Sequence, residues 1–145
     1  SWVTSTMNSL ASCLPGQRAK ASATWAYLPP SSSRTHSTTF FGDRFSHGLN
    51  KRPKSGDYRV QSLYGATEAV WTPGEDELAL ARKVLSTAQD ITGEDAFLYA
   101  RVDMVRGLDG ELALMELEII EPYLYPEQGP DLGEVFVEAL KEKLC

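Results

Sequence analysis

The stretch Tyr99-Ala-Arg-Val-Asp-Met-Val-Arg-Gly-Leu-Asp-Gly-Glu-Leu-Ala-Leu-Met-Glu-Leu-Glu-Ile-Ile-Glu-Pro122 decides the fold, because it sets two apolar runs on either side of turn chemistry. Gly107-Leu-Asp-Gly110 supplies the turn, so the pattern predicts a β-hairpin. Side chains alternate between the two faces of a strand. Leu98, Ala100, Val102 and Met104 then share one face of the first strand, and Ala113, Met115, Leu117 and Ile119 share the matching face of the second; these are the expected core positions. Arg101 and Asp103 take the opposite face with Glu116 and Glu118. Pairing Arg106 with Glu111 across the turn sets Arg101 opposite Glu116, with Asp103 one step along, so three carboxylates and one guanidinium converge.

Carboxylates crowded in this way repel one another unless a cation neutralises them, and their oxygens suit a hard ion such as Mg²⁺. The plain alternative is an exposed hairpin face whose charges are only solvated. Two features weigh against it. No Lys or Arg occurs from Gly107 to Leu140, although that segment contains Asp109, Glu111, Glu116, Glu118, Glu121, Glu127, Asp131, Glu134 and Glu138. Glu116 and Glu118 are also embedded in Leu-Met-Glu-Leu-Glu-Ile-Ile, whose apolar flanks predict a half-buried strand.

At these residues the chain resembles the ATP-grasp superfamily, in which Arg-x-Asp on one strand and Glu-x-Asn or Glu-x-Glu on the next hold Mg²⁺ on ATP. Arg101-Val-Asp103 and Glu116-Leu-Glu118 match that pattern. Phe45-Ser-His47, Lys51-Arg-Pro53, Gly56-Asp-Tyr-Arg-Val-Gln61, Tyr64-Gly65 and Glu118-Ile-Ile-Glu-Pro122 are similar to the glutathione-synthetase-like branch of carboxylate-amine ligases. The resemblance runs from about Ser37 onward and covers only that family's carboxy-terminal half. It implies an α+β fold, an antiparallel β-sheet covered by helices, as in the carboxy-terminal ATP-grasp subdomain. It also implies Asp103, Glu116 and Glu118 as metal ligands for Mg²⁺ or Mn²⁺, and Arg59 and Arg101 as the arginines that meet transferred phosphate. By the same resemblance Lys51 lies near the phosphates of ATP. One departure stands out: Gly65-Ala66 occurs where the family often has paired glycines.

The implied reaction makes an acyl-phosphate from a carboxylate and ATP and passes the acyl group to an amine, so nucleotide and small carboxylate and amine substrates are the expected partners. With only half of the family's clamp recognisable, the chain is expected to be inactive alone and to need an amino-terminal half or a partner chain. The alternative is a degenerate, non-catalytic module serving binding or assembly.

Composition agrees with one soluble domain. The 145 residues are enough for a sizeable core, and an apolar share of 42% is ordinary for a globular protein. A formal charge of −6 argues against nucleic-acid binding, which needs a basic patch. No apolar run is long enough to span a membrane. Cys13 and Cys145 form no disulfide framework, so a reducing cytoplasmic setting is expected.

Residues 1–36 differ sharply from the rest. They are rich in Ser, Thr, Ala and Pro, and the first acidic residue of the chain is Asp43. Tyr27-Leu-Pro-Pro-Ser-Ser-Ser33 predicts an extended or disordered segment. The resembled family has a Gly-Glu pair just before the Ser37 position, where this chain has Arg34-Thr-His36; a truncated, misassigned or out-of-frame leader and a genuine low-complexity tail are both open.

From Ser37, Thr38-Thr-Phe-Phe41, a turn at Gly42-Asp43 and Arg44 to Asn50 predict a second hairpin. His47 lacks an accompanying nucleophile and is expected to be a packed or hydrogen-bonded strand histidine. Thr72-Pro-Gly-Glu75 predicts a helix start, with Thr72 as N-cap and Glu75 closing a capping box. That helix should run to about Gln89 and bury Leu78, Ala81, Val84, Leu85 and Ala88, with Thr92-Gly93 ending the element. Tyr123 to Pro130 is expected to be a loop in reach of the ligand site, followed by a last helix packed through Leu132, Val135, Phe136, Ala139 and Leu140.

Overall fold

A computed structural model describes residues 35–52, 67–107 and 109–144. Residues 1–34 of the expected leader, Cys145 and the segment from Gly56 to Gly65 that contains Arg59 lie outside the described residues, whereas Thr35 and His36, placed in the leader by the sequence, begin the first strand.

Seven elements follow one another: β1 (Thr35–Phe41), β2 (Arg44–Arg52), β3 (Thr67–Trp71), α1 (Glu75–Thr92), β4 (Ala100–Arg106), β5 (Leu112–Glu118) and α2 (Leu132–Leu144). The strands form one five-stranded sheet in the order β3-β2-β1-β4-β5, antiparallel at every junction. Both predicted hairpins are present, and the α+β expectation of an antiparallel sheet carrying two helices is borne out. Strand β3 had no signal in the sequence reading, because Thr67-Glu-Ala-Val-Trp71 sits at the sheet edge, mostly exposed, and lacks a clean apolar alternation.

The core lies between one sheet face and α1. Phe40, Ala100, Val102 and Met104 meet Ala81, Val84 and Leu85, with Leu78, Leu114, Leu117 and Ile119 at the margin. The helix therefore buries the stripe that its period-3.6 pattern predicts. Its start falls two residues later than expected: Gly74 is the N-cap, and the Glu77 carboxylate accepts the Gly74 N–H at 2.8 Å. Pro73, two residues beyond β3, is buried close to Gly48, where any Cβ would meet the Trp71 carbonyl at 2.6 Å. Helix α1 ends at Gly93 in the left-handed conformation (φ 74°), as the sequence predicts.

Helix α2 packs against the turn end of the β1–β2 hairpin. Phe136 meets Phe41 edge-to-face at 5.6 Å, and Arg44 pairs with Glu138 and Glu142. Lys143 binds Glu94 at 2.9 Å and so ties α2 to the loop after α1.

The register of the central hairpin differs from the expected one in two places. Gly107 N–H donates to the Glu111 carbonyl at 2.8 Å, which moves Glu111 into the turn and leaves Arg106 facing Leu112. A bulge at Met115 then adds a second residue, so Asp103 faces Glu116 and Arg101 faces Glu118. Between turn and bulge the faces of β5 are exchanged: Leu114 joins the core margin, while Ala113 stands opposite Val105 and Met115 receives the Thr35 hydroxyl at 3.7 Å. Beyond the bulge Leu117 and Ile119 return to the core side and Glu116 and Glu118 to the other. Two slips of one residue restore the parity that the sequence predicts.

Candidate functional site

Strand pairing alone aligns the charged residues on the sheet face away from α1. Ser37 faces Asp103 and Thr39 faces Arg101 across the β1–β4 junction, Lys51 lies opposite Thr35 on β2, and Glu116 and Glu118 flank Asp103 and Arg101 from β5. This face comes from odd positions on β1, β2 and β4, joined by the even positions of β5 that the bulge has brought into phase.

Asp103 is the hub. Lys51 Nζ donates to its Oδ2 at 3.0 Å, and Arg101 donates through Nε to Oδ1 at 3.0 Å and through Nη2 to Oδ2 at 3.3 Å. The side chains are 5% exposed for Lys51, 2% for Asp103 and 6% for Arg101. Burial pushes the Asp103 carboxyl up, but the charges of Lys51 and Arg101 and the hydrogen bonds from Arg101 outweigh it and hold the group below the ordinary carboxylate range. Burial works against the Arg101 charge too, and Asp103 and Glu118 more than offset it, so the guanidinium is held more firmly protonated.

The rim of the site is acidic and wetter. Glu118 Oε1 lies 2.7 Å and Glu116 Oε2 3.6 Å from Arg101 Nη2, with side chains 30% and 45% exposed. Burial, then the charges of Glu118 and Asp103, raise the Glu116 carboxyl above its ordinary range, against a smaller opposing pull from Arg101. Negative charge is thus in excess at the rim although two cations stand behind it. Among the described residues no three His, Cys, Asp or Glu side chains are grouped to hold a metal ion by themselves. The reason is visible in Asp103, both of whose oxygens are turned toward cations. The excess charge on Glu116 and Glu118 nonetheless fits a divalent cation, whose ligand set a bound anion would complete.

The loop after β5 folds back onto this face. The Tyr123 carbonyl accepts from Arg101 Nη1 at 3.1 Å, the Leu124 carbonyl is 2.9 Å from His47 Nε2, and the Tyr125 ring covers Lys51 and Arg101. Glu121 (φ 53°) and Tyr125 (φ 50°) both take the left-handed backbone conformation that non-glycine residues avoid. His47 is buried, with Ser46 Oγ 2.9 Å from Nδ1, and is a hydrogen-bonded strand histidine as expected; burial lowers its pKa, partly offset by the Leu124 carbonyl.

The structure therefore brings together Lys51, Arg101, Asp103, Glu116 and Glu118 of the residues singled out from the sequence, and Arg59 lies outside the described residues. Sequence reasoning missed Tyr125, Ser37 and the bond between Lys51 and Asp103. It also missed a second polar cluster on the far side of the sheet, where Glu77 accepts from Gly74 N–H and Trp71 Nε1 and pairs with His36, whose ring stacks on Trp71 at 4.4 Å. Strand parity carries a signal for Lys51 and Ser37, but only after the register of β1 and β2 is known.

No family model matches the sequence. The chain is 34% identical over 112 residues to the cycloserine biosynthesis protein DcsG of Streptomyces lavendulae, an alignment covering 73% of this chain and 36% of that protein. Its structure is similar to the crystal structure of D-cycloserine synthetase DcsG, with a TM-score of 0.66, 29% identity, and coverage of 77% of this chain and 38% of that one. A looser likeness, with a TM-score of 0.47 and 15% identity over 74% of this chain and 35% of that one, is to the ATP-grasp ligase PsnB complexed with a minimal precursor. The chain thus spans just over a third of the length of the curated relative it matches. No helix among the described residues is long and apolar enough to cross a membrane. With the Arg-x-Asp and Glu-x-Glu strands paired on one sheet face and the likeness to DcsG in both sequence and structure, the chain belongs to the ATP-grasp superfamily.

Proposed function

We propose that this chain supplies the ATP- and Mg²⁺-binding wall of a carboxylate-amine ligase that works through an acyl-phosphate. The observation that carries this reading is the layered charge of the sheet face: Lys51 and Arg101, held by buried Asp103, stand behind the half-exposed Glu116 and Glu118. Two fixed cations suit phosphate oxygens, and the carboxylates in front of them suit the metal that accompanies a polyphosphate. Glu116 and Glu118, with Asp103 behind them, would hold Mg²⁺ or Mn²⁺, which when bound offsets charge on the transferred phosphoryl. Arg101, whose planar guanidinium already faces Glu118, exchanges that partner for phosphate oxygens. Arg59 is proposed, on the resemblance of its Gly-x-x-Arg segment, as a second guanidinium on the transferred group.

In this reaction a substrate carboxylate oxygen attacks the terminal phosphorus of ATP and the bond to ADP breaks with its electron pair on ADP. An amine then attacks the acyl carbon, and inorganic phosphate leaves. The residues of this chain bind and orient the polyphosphate and stabilise charge on it. The second wall of the clamp would come from an amino-terminal half or a partner chain.

Calorimetric titration of the full chain with ATP in millimolar Mg²⁺ tests the reading. Saturable binding, weakened by Glu116→Gln and by Arg101→Met, is expected. Absence of binding, or binding indifferent to both substitutions, overturns it.

A further inference from the structure

Three consecutive residues of the loop after β5 are each pinned to the charged face. The Tyr123 carbonyl holds Arg101 at 3.1 Å, the Leu124 carbonyl meets His47 at 2.9 Å, and the centroid of the Tyr125 ring lies 5.0 Å from Lys51 Nζ and 5.7 Å from Arg101 Cζ. Tyr125 is 8% exposed, and Tyr123 packs edge-to-face on it at 4.7 Å. Its left-handed backbone carries a free-energy cost that glycine would avoid. Farther along the same loop, Gly129 lies so close to the His47 ring that a side chain there would collide with it. The loop is fitted to the sheet by backbone and ring alike.

Charge explains what the ring contributes. Asp103 is the almost wholly buried carboxylate that the two cations share, and Glu118 and Glu116 add their negative charge to Arg101 from the wetter rim. A second buried carboxylate would hold Lys51 and Arg101 in place but would repel an incoming anion. The negative face of an aromatic ring attracts both cations without a formal charge. We propose that Tyr125 is a positioning residue, whose ring fixes the Lys51 ammonium and the Arg101 guanidinium side by side so that a polyphosphate meets both donors at once. This rests on the nucleotide reading above and adds to it the group that orders the cations.

The test uses the full chain and two probes, ATP with Mg²⁺ and inorganic tripolyphosphate. Tyr125→Phe keeps the ring face and should bind both within about twofold of the parent, whereas Tyr125→Leu should lose about tenfold in affinity, the scale of a desolvated cation–π contact. Should Tyr125→Leu fail to fold, Tyr125→Met fills the volume without a ring face and replaces it. Hydrogen exchange at Arg101 Nε, followed by ¹⁵N NMR without any ligand, gives a separate readout: it should quicken in the aliphatic variant and not in Tyr125→Phe. Equal affinities in parent and aliphatic variant overturn the proposal. If the parent binds neither probe, the nucleotide reading falls, and the exchange rates decide the Tyr125 claim on their own, equal rates overturning it.

Discussion

Lys51 Nζ and Asp103 Oδ2 form a 3.0 Å ion pair whose side chains are both almost wholly removed from water. The pair joins β2 to β4 across β1, so it is at once a brace of the sheet and the floor of the proposed site. A buried pair of this kind is costly to break, because the surviving partner keeps its desolvation penalty. Lys51→Met should therefore destabilise the fold by about 3 kcal/mol, and Lys51→Met combined with Asp103→Leu should recover part of the loss. Urea denaturation of the single and double variants measures this; an additive double variant would refute the coupling.

Folding lowers the Asp103 pKa, so the native state releases this proton more readily than the unfolded chain. The stability it contributes is fully present above the ordinary carboxylate range, near about pH 4, and is lost as pH falls through the lower folded value. Asp103→Asn should flatten the decline of stability on acidification below about pH 4. Parallel acid-denaturation curves for parent and variant would contradict it.

Glu116 has the opposite sign. Its carboxyl is raised in the native state, so ionising it costs stability as pH rises from the ordinary range through the folded value, and the cost persists at neutral pH. Glu116→Gln, measured with a chelator present, should raise the melting temperature slightly, by less than about 1 kcal/mol in free energy, since water screens a half-exposed group. The same variant should lose the stabilisation that the parent gains from Mg²⁺ with ATP. A variant that is less stable than the parent in chelator would count against charge excess at the rim.

Glu77 is nearly inaccessible, caps α1 through Gly74 and binds Trp71 and His36. Burial raises its pKa, but the Gly74, His36 and Trp71 bonds prevail and lower it. Glu77→Ala should cost about 2 kcal/mol from the lost cap and the orphaned donors, and should blue- or red-shift Trp71 emission while leaving nucleotide affinity unchanged. Nucleotide binding that falls with Glu77 would show the two faces of the sheet to be coupled.

Phe40 is fully buried at the junction of β1, β4 and α1. Phe40→Ala should destabilise by about 3–5 kcal/mol, because the dense surroundings cannot close the cavity. Calorimetric unfolding checks the size of the loss.

Period-2 and period-3.6 patterns, the turn residues Gly42-Asp43 and Gly107 to Gly110, and Gly93 at the helix end were legible without a structure, because each follows from a local preference of backbone or solvent. The convergence of Arg101, Asp103, Glu116 and Glu118 was legible for the same reason: strand parity is local, and the two register slips cancelled. What only the tertiary structure decided is the chemistry of their surroundings. Lys51 reaches Asp103 from two strands away, Leu114 takes the place of Met115 at the core margin through the slip at the turn, and Tyr125 folds back to cover two cations. Each depends on which strands become neighbours and on the burial that follows, and no short-range preference encodes a distance between residues about fifty positions apart.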